Sequence, residues 1–217
     1  MRLTLSLVRT RTHTVALLVA LSWAAPAVAQ TTAVPLKSAK TAPAVDLSRI
    51  RIDNFGQVSQ NYYRGAQPKK HDYADLAAIG VKTLINLTSD DADAAEEAMA
   101  RSAGMKYIQI PMTTHAVPTA EELATFMKIA TDPASQPIYV HCVGGRHRTG
   151  VMTAVYRMTQ DGWSADQAFK EMKQFKFGAD YLHPEFKKFV FTYAATLAHA
   201  AVPPAVLAGT KPDGTKN

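Results

Sequence analysis

The sequence predicts an α/β fold, a central and mainly parallel sheet flanked by helices. Short apolar runs of strand length alternate along the chain with helix-period segments. Glycines that close helices and capping boxes that open them fall between these runs. One run, Ile138-Tyr139-Val140, passes through a glycine-containing loop straight into a helical pattern, an order that suits anion binding at a helix N-terminus. At 217 residues the chain holds one catalytic-sized domain plus tails. With 47% hydrophobic and 19% charged residues it can bury a core, which excludes global disorder.

A short hairpin near Ile52 to Gly65 opens the expected sheet. Tyr73 to Ile79, closed by Gly80, reads as the first helix and leads into the strand-like Val81 to Leu87. The Ala/Glu-rich stretch Ala92 to Ala103, closed by Gly104, separates that strand from Met105 to Met112. Thr119 with Glu122 forms a capping box for a helix over Ala120 to Ala130, and Pro137 to Val140 is the next strand. A helix over Val151 to Gln160 follows the glycine loop. Ser164 with Gln167 starts another, and His183-Pro184 leads into a last helix over Glu185 to His199. In that helix Phe186, Phe189, Phe191 and Tyr193 are spaced as core, and Lys187-Lys188 as a solvated face.

The ends read differently. Residues 1–29 carry Arg2, Arg9 and Arg11 and no acid, then the apolar run Val15 to Leu21 and Ala27-Val28-Ala29 before Gln30, the pattern of a cleaved signal peptide. An uncleaved anchor helix is the competing reading, but the run is short for a membrane span. The formal charge of +6 shrinks with it: the rest of the chain holds 21 Lys+Arg against 18 Asp+Glu, too weak a balance to imply a nucleic-acid partner. The expected organisation is therefore a signal peptide at 1–29, a Thr/Ala/Pro/Lys-rich flexible leader at 30–48, a domain at 49–200 and a loose tail at 201–217. The mature chain is expected in the periplasm or outside the cell, with no stable membrane insertion.

The lone cysteine, Cys142, excludes an internal disulfide framework and any Cys-only metal cluster. It sits where the strand meets the loop Val143-Gly144-Gly145-Arg146-His147-Arg148-Thr149-Gly150. Successive backbone N–H groups of such a loop converge on an anion, and the following helix adds its positive end. A thiol in that field has its pKa lowered and becomes a nucleophile. Arg148, six residues on, offers a planar fork for two phosphate oxygens. Taken singly, a buried cysteine is a small hydrophobe and an arginine opening a helix is solvated. Together the C-x5-R-[ST]-G spacing after a strand is specific for a phosphate-binding cysteine loop.

With this loop, the chain resembles the cysteine-dependent phosphatase superfamily in its dual-specificity, protein-tyrosine-phosphatase-like branch. It looks nearest to the atypical plant and fungal enzymes that act on inositol pyrophosphates, and to their bacterial relatives. The resemblance rests on Gly145-Arg146-His147-Arg148-Thr149-Gly150, on Tyr63-Arg64-Gly65-Ala66-Gln67-Pro68 and on Asp132-Pro133-Ala134-Ser135-Gln136-Pro137, over about Asn54 to Phe191. It implies that Cys142 is the nucleophile, Arg148 the clamp, Val143 to Arg148 the phosphate cradle, and Thr149 a hydroxyl donor to the sulfur. His141 would hold the loop from behind.

The superfamily's usual aspartate acid is missing from Pro111 to Pro118, the stretch expected to carry it. His115, His147 and Glu121 are the candidate acids, and a good leaving group would need none. The expected function is hydrolysis of phosphate monoesters through phosphocysteine, with a phosphopeptide or inositol phosphate as partner and no cofactor. The alternatives are an inositol phosphate or pyrophosphate phosphatase, a weakly catalytic phosphate-binding module, and a rhodanese-type sulfurtransferase. Metal binding by His141, Cys142 and His147 is discounted, since they lack zinc spacing and an arginine-lined loop repels a cation. Lys69-Lys70 beside Arg64 reads either as an extended polyanion site or as a solvated turn.

Overall fold

The computed structural model of the chain describes residues 45–89 and 91–200. The expected signal peptide, most of the leader and the tail at 201–217 lie outside the described residues. The chain divides after Pro43, and every described residue belongs to the second unit.

That unit contains strands β1 (Gly56–Ser59), β2 (Tyr62–Ala66), β3 (Thr83–Thr88), β4 (Lys106–Met112) and β5 (Ile138–Cys142), and helices α1 (Asp72–Ala78), α2 (Glu96–Ser102), α3 (Ala120–Ala130), α4 (Arg148–Gln160), α5 (Ala165–Gln174) and α6 (Pro184–Ala200). The sheet order is β1-β2-β5-β3-β4. β1 and β2 form the antiparallel hairpin, and the other neighbours are parallel. The mainly parallel α/β architecture expected from the sequence is therefore present.

β5 is the central strand and is buried along its whole length. Because side chains alternate across a strand, Ile138, Val140 and Cys142 enter one core with Ile85, Leu87, Phe126 and Met152. Tyr139 enters the opposite core, with Tyr63, Tyr73 and Leu84. A third cluster joins α4, α5 and α6 through Val151, Met172, Phe177 and Phe186. The aromatic spacing of the last helix thus serves packing in part: Phe186 is fully buried, while Phe191 is exposed.

Both capping boxes form as the sequence predicts, Thr119 with Glu122 on α3 and Ser164 with Gln167 on α5. Two helix starts differ. α2 begins at Glu96 rather than Ala92, because Asp93 Oδ1 accepts from Ala95 N and its carbonyl accepts from Glu96 N, forming a turn ahead of the helix. α4 begins at Arg148, three residues before the expected Val151, so the end of the glycine loop is already the first helical turn.

Candidate active site

The loop from Val143 to His147 leaves the end of β5 and enters α4. Its carbonyls are turned outward and held. Gln67 N donates to Val143 O at 3.1 Å, and Asn54 Nδ2 and Arg64 Nη2 donate to Gly145 O at 2.8 and 2.9 Å. Asn54 Nδ2 also reaches Phe175 O at 3.0 Å, tying the loop to the end of α5. With the carbonyls so engaged, the N–H groups are left for the inner face, and those of Arg146 and Thr149 are directed at the Cys142 sulfur. Gly145 has φ +63, and a Cβ there would overlap the backbone of Gly65 on β2. Glycine adopts this φ at no steric cost and alone permits so close an approach.

Cys142 is 3% exposed. Burial opposes its ionisation, but the Thr149 hydroxyl, the Thr149 N–H, the Arg148 charge and the Arg146 N–H outweigh it and hold the thiol below its ordinary pKa. Thr149 Oγ1 is buried and otherwise without a hydrogen-bond partner, so an anionic sulfur is the acceptor it lacks. The side chain of Arg148 reaches into the same hollow, a cavity of about 380 Å³ lined by Asp91, Thr114, Cys142, Val143, Gly144, Arg146, His147 and Arg148. A larger hollow of about 730 Å³ runs along α6 and contains none of the loop residues.

The structure thus gathers Cys142, Val143, Gly144, Arg146, His147 and Arg148 around one cavity, with Gly145 and Thr149 beneath it. His147 is anchored: its Nε2–H donates to Phe177 O at 3.0 Å, and the ring packs 3.8 Å from that of His183. Burial, followed by the His183 charge, pushes its pKa below the ordinary imidazole value. The side chain of His115 is 77% exposed, next in sequence to Thr114 at the cavity wall. Glu121 lines a separate hollow on α3.

Asp91 is the residue that the sequence reading missed. Its carboxylate grips Arg148 with two bonds, Nη1 to Oδ1 at 2.8 Å and Nη2 to Oδ2 at 2.6 Å. Arg148 Nη1 also donates to Met112 O at 3.1 Å. The Arg148 bond keeps the Asp91 carboxyl below the usual range, so it is an anion occupying the fork that a phosphate would use. Nothing in the local sequence pairs these residues, which lie 57 positions apart.

Behind the loop, His141 Nε2 lies 3.0 Å from Glu96 Oε1, and both side chains are fully buried. Glu96 also accepts from Asn86 Nδ2 at 2.5 Å, while Asn86 Nδ2 reaches the Tyr107 hydroxyl at 2.9 Å. This joins α2, β3, β4 and β5. Arg64 does not extend a polyanion surface: it is fully buried, with its guanidinium 4.0 Å from the Phe175 ring centre. Lys69 instead lines an adjoining hollow with Arg51, Asp53, Asp72, Val143 and Gly144.

Comparison with known proteins agrees with this geometry. The chain is 31% identical over 153 residues to the dual specificity protein phosphatase TpbA of Pseudomonas aeruginosa, an alignment covering 70% of this chain and 66% of TpbA, just under two thirds of that relative. The solved core catalytic domain of the Saccharomyces cerevisiae inositol pyrophosphate phosphatase SIW14, in complex with citrate, superposes with a TM-score of 0.58 at 26% identity, over 70% of this chain and 94% of that one. A cysteine-to-serine form of P. aeruginosa TpbA in complex with phosphotyrosine gives 0.55 at 25% identity, over 67% and 90%. The profile of the family described as "DSP-PTPase phosphatase fused to NAD+ Kinase" matches residues 43–186, well over half the chain and including the whole cysteine loop. The chain therefore belongs to this dual-specificity, protein-tyrosine-phosphatase-type family.

Proposed function

We propose that the protein is a cysteine-dependent phosphatase that hydrolyses phosphate monoesters of the phosphotyrosine or dual-specificity type through a phosphocysteine intermediate. The observation that carries this reading is the placement of Cys142 at the floor of an anion cradle beside Arg148 and over Thr149. Phosphate enters as a dianion, takes the inward N–H groups of the loop, and displaces Asp91 from the Arg148 fork. The Cys142 thiolate attacks phosphorus, the bond from phosphorus to the leaving oxygen breaks, and that oxygen takes a proton. Water then attacks the phosphocysteine, the S–P bond breaks, and phosphate departs as the Thr149 hydroxyl donates to the restored thiolate.

For the proton, His147 is unsuited, since its Nε2–H is committed to Phe177 O and its pKa is lowered. His115 is the remaining imidazole candidate: its side chain is exposed, and it follows Thr114, which lines the cavity. In metal-free buffer, His115→Ala should lose more rate on phenyl phosphate than on p-nitrophenyl phosphate, because acid help scales with the charge left on the departing oxygen. Equal losses on both would remove His115 from this role.

The stretch from Pro111 to Pro118 without a carboxylate, and the exposed Arg146 of the loop, favour a second reading: an inositol phosphate or pyrophosphate as substrate. A phosphoanhydride leaves with little acid help. A panel of phosphopeptides and inositol phosphates, assayed with wild type and Cys142→Ser, tests both. Turnover of phosphopeptides favours the first reading and turnover of inositol pyrophosphate the second. Equal activity of wild type and Cys142→Ser removes both.

The N-terminal pattern supports export, and we propose that the mature chain acts in the periplasm or outside the cell without membrane insertion. No helix among the described residues is long and apolar enough to cross a membrane. Protein recovered from the exported fraction should begin at Gln30. Recovery with Met1 intact would contradict cleavage.

A further inference from the structure

Beside the cysteine loop the fold brings one donor from mid-chain to two near neighbours that lie far along it. His115 comes from the connection between β4 and α3, His183 directly precedes α6, and Glu185 lies in the first turn of α6. Glu185 Oε1 is 3.1 Å from His183 Nδ1 and 3.8 Å from His115 Nδ1. Each of the three residues offers a ligand atom within 4.8 Å of the other two. In a tetrahedral site with bonds of ~2.0–2.2 Å, neighbouring ligand atoms stand roughly 3.3–3.6 Å apart. Small adjustments of this trio therefore reach coordination distances. We propose that His115, His183 and Glu185 form a binding site for a divalent transition metal of the zinc class at the rim of the Cys142 cavity.

The donor chemistry selects the ion. Two imidazole nitrogens and one carboxylate suit zinc and its first-row neighbours, whereas calcium and magnesium seek all-oxygen shells. Two of the ligands are already fixed. His183 is buried, its ring packed 3.8 Å from His147 and 5.6 Å from Phe186 between centres, and Glu185 is held by its helix. His115 stacks on His183 at 5.4 Å and closes the site from the solvent side. Three protein ligands leave a fourth position for water.

The reason for discounting a cation at Cys142 does not reach this trio. It lies outside the arginine-lined loop, and Glu185 supplies the negative charge that the loop lacks. Without metal, His183 Nδ1–H donates to the Glu185 carboxylate; the ion binds the tautomer that carries the proton on Nε2, whose Nδ1 lone pair faces the same carboxylate. A bound ion also ties the connection after β4 to α6 and takes the lone pair of His115, the imidazole proposed above to serve the leaving group. Metal should therefore slow turnover of esters with basic leaving groups, although the site itself stands independently of that reading.

The test uses the full chain carrying Cys142→Ser, which removes the thiolate as a competing ligand. After EDTA treatment the protein is titrated with Co²⁺ while visible absorption is followed, and bound Co²⁺ is then displaced with Zn²⁺. One equivalent of Co²⁺ should bind with the d–d bands of a four- or five-coordinate site, and affinity should fall at least about tenfold in added His115→Ala and in added Glu185→Gln. His115 is exposed, so its removal leaves the fold intact, as a thermal melt of the same sample verifies. Absence of stoichiometric binding, or binding unchanged by both substitutions, would overturn the site.

Discussion

Cys142 is buried, a state that ordinarily keeps a thiol protonated, yet its surroundings reverse the sign. The largest favourable contribution comes from the Thr149 hydroxyl, ahead of the Thr149 N–H and the Arg148 charge. The thiolate is the reactive species, so reactivity rises as pH passes upward through the Cys142 pKa, which lies below the ordinary thiol value. Thr149→Val removes the leading stabiliser, and the midpoint of the iodoacetamide alkylation rate against pH should move to higher pH. Loss of a hydrogen bond to a charged group, roughly 1.5–3 kcal/mol, should also lower kcat about ten- to a hundredfold. A midpoint that stays put or moves to lower pH would contradict this account of the thiolate.

Asp91 acts on the other half of the site. Its carboxylate holds the Arg148 fork with the geometry a phosphate would use, so ligand and carboxylate compete for one guanidinium. Asp91→Asn weakens the internal competitor. Inorganic phosphate and vanadate should then inhibit more strongly than in wild type, read as a lower Ki. A higher Ki would show that Asp91 positions the arginine for phosphate rather than competing with it.

At the scale of elements, the site is a strand end, a loop and a helix start, clamped from two sides by Asn54 and Arg64. Gly145→Ala places a methyl group against the backbone of Gly65 and demands a positive φ of a side-chained residue. The substitution should cost on the order of 1–3 kcal/mol and should lower kcat/KM well beyond that stability loss, because the cradle N–H groups move. Wild-type activity in Gly145→Ala would contradict the close packing of loop on β2. Much at this scale was legible in the sequence. Both capping boxes are signals of four residues read from side chains alone, and the β5–loop–α4 order follows from an apolar run, glycines and the C-x5-R spacing. Two helix starts were not. Asp93 holds a turn ahead of α2, and the loop's last residues double as the first turn of α4; both depend on hydrogen bonds that spacing does not encode.

Across the whole molecule, what escaped the sequence is what long-range folding brings together. Asp91 meets Arg148 across the sheet end, His183 and Glu185, which follow α5, meet His115, which precedes α3, and Arg64 sinks beneath Phe175 instead of facing solvent. The buried network around Glu96 is of the same kind. It connects α2 with β3 and with His141 on β5, the residue before Cys142. Glu96→Ala leaves the buried Asn86 Nδ2 and His141 Nε2 short of the carboxylate beside them, at roughly 1–3 kcal/mol for each unsatisfied group. At ~2–4 °C per kcal/mol for a domain of this size, Glu96→Ala should lower Tm by on the order of 10 °C. A Tm unchanged within about 2 °C would show that the network contributes little to holding these elements together.

The proposed chemistry stands most directly on covalent capture of phosphorus by Cys142. Wild-type protein mixed with a ³²P-labelled aryl phosphate, quenched in acid within the first turnover and digested, should yield label on the peptide containing Cys142, stable to acid and released by iodine. Cys142→Ser should carry no such label and should turn over at a negligible rate. Rapid hydrolysis by wild type with no label on Cys142, or wild-type turnover by Cys142→Ser, would contradict the phosphocysteine mechanism.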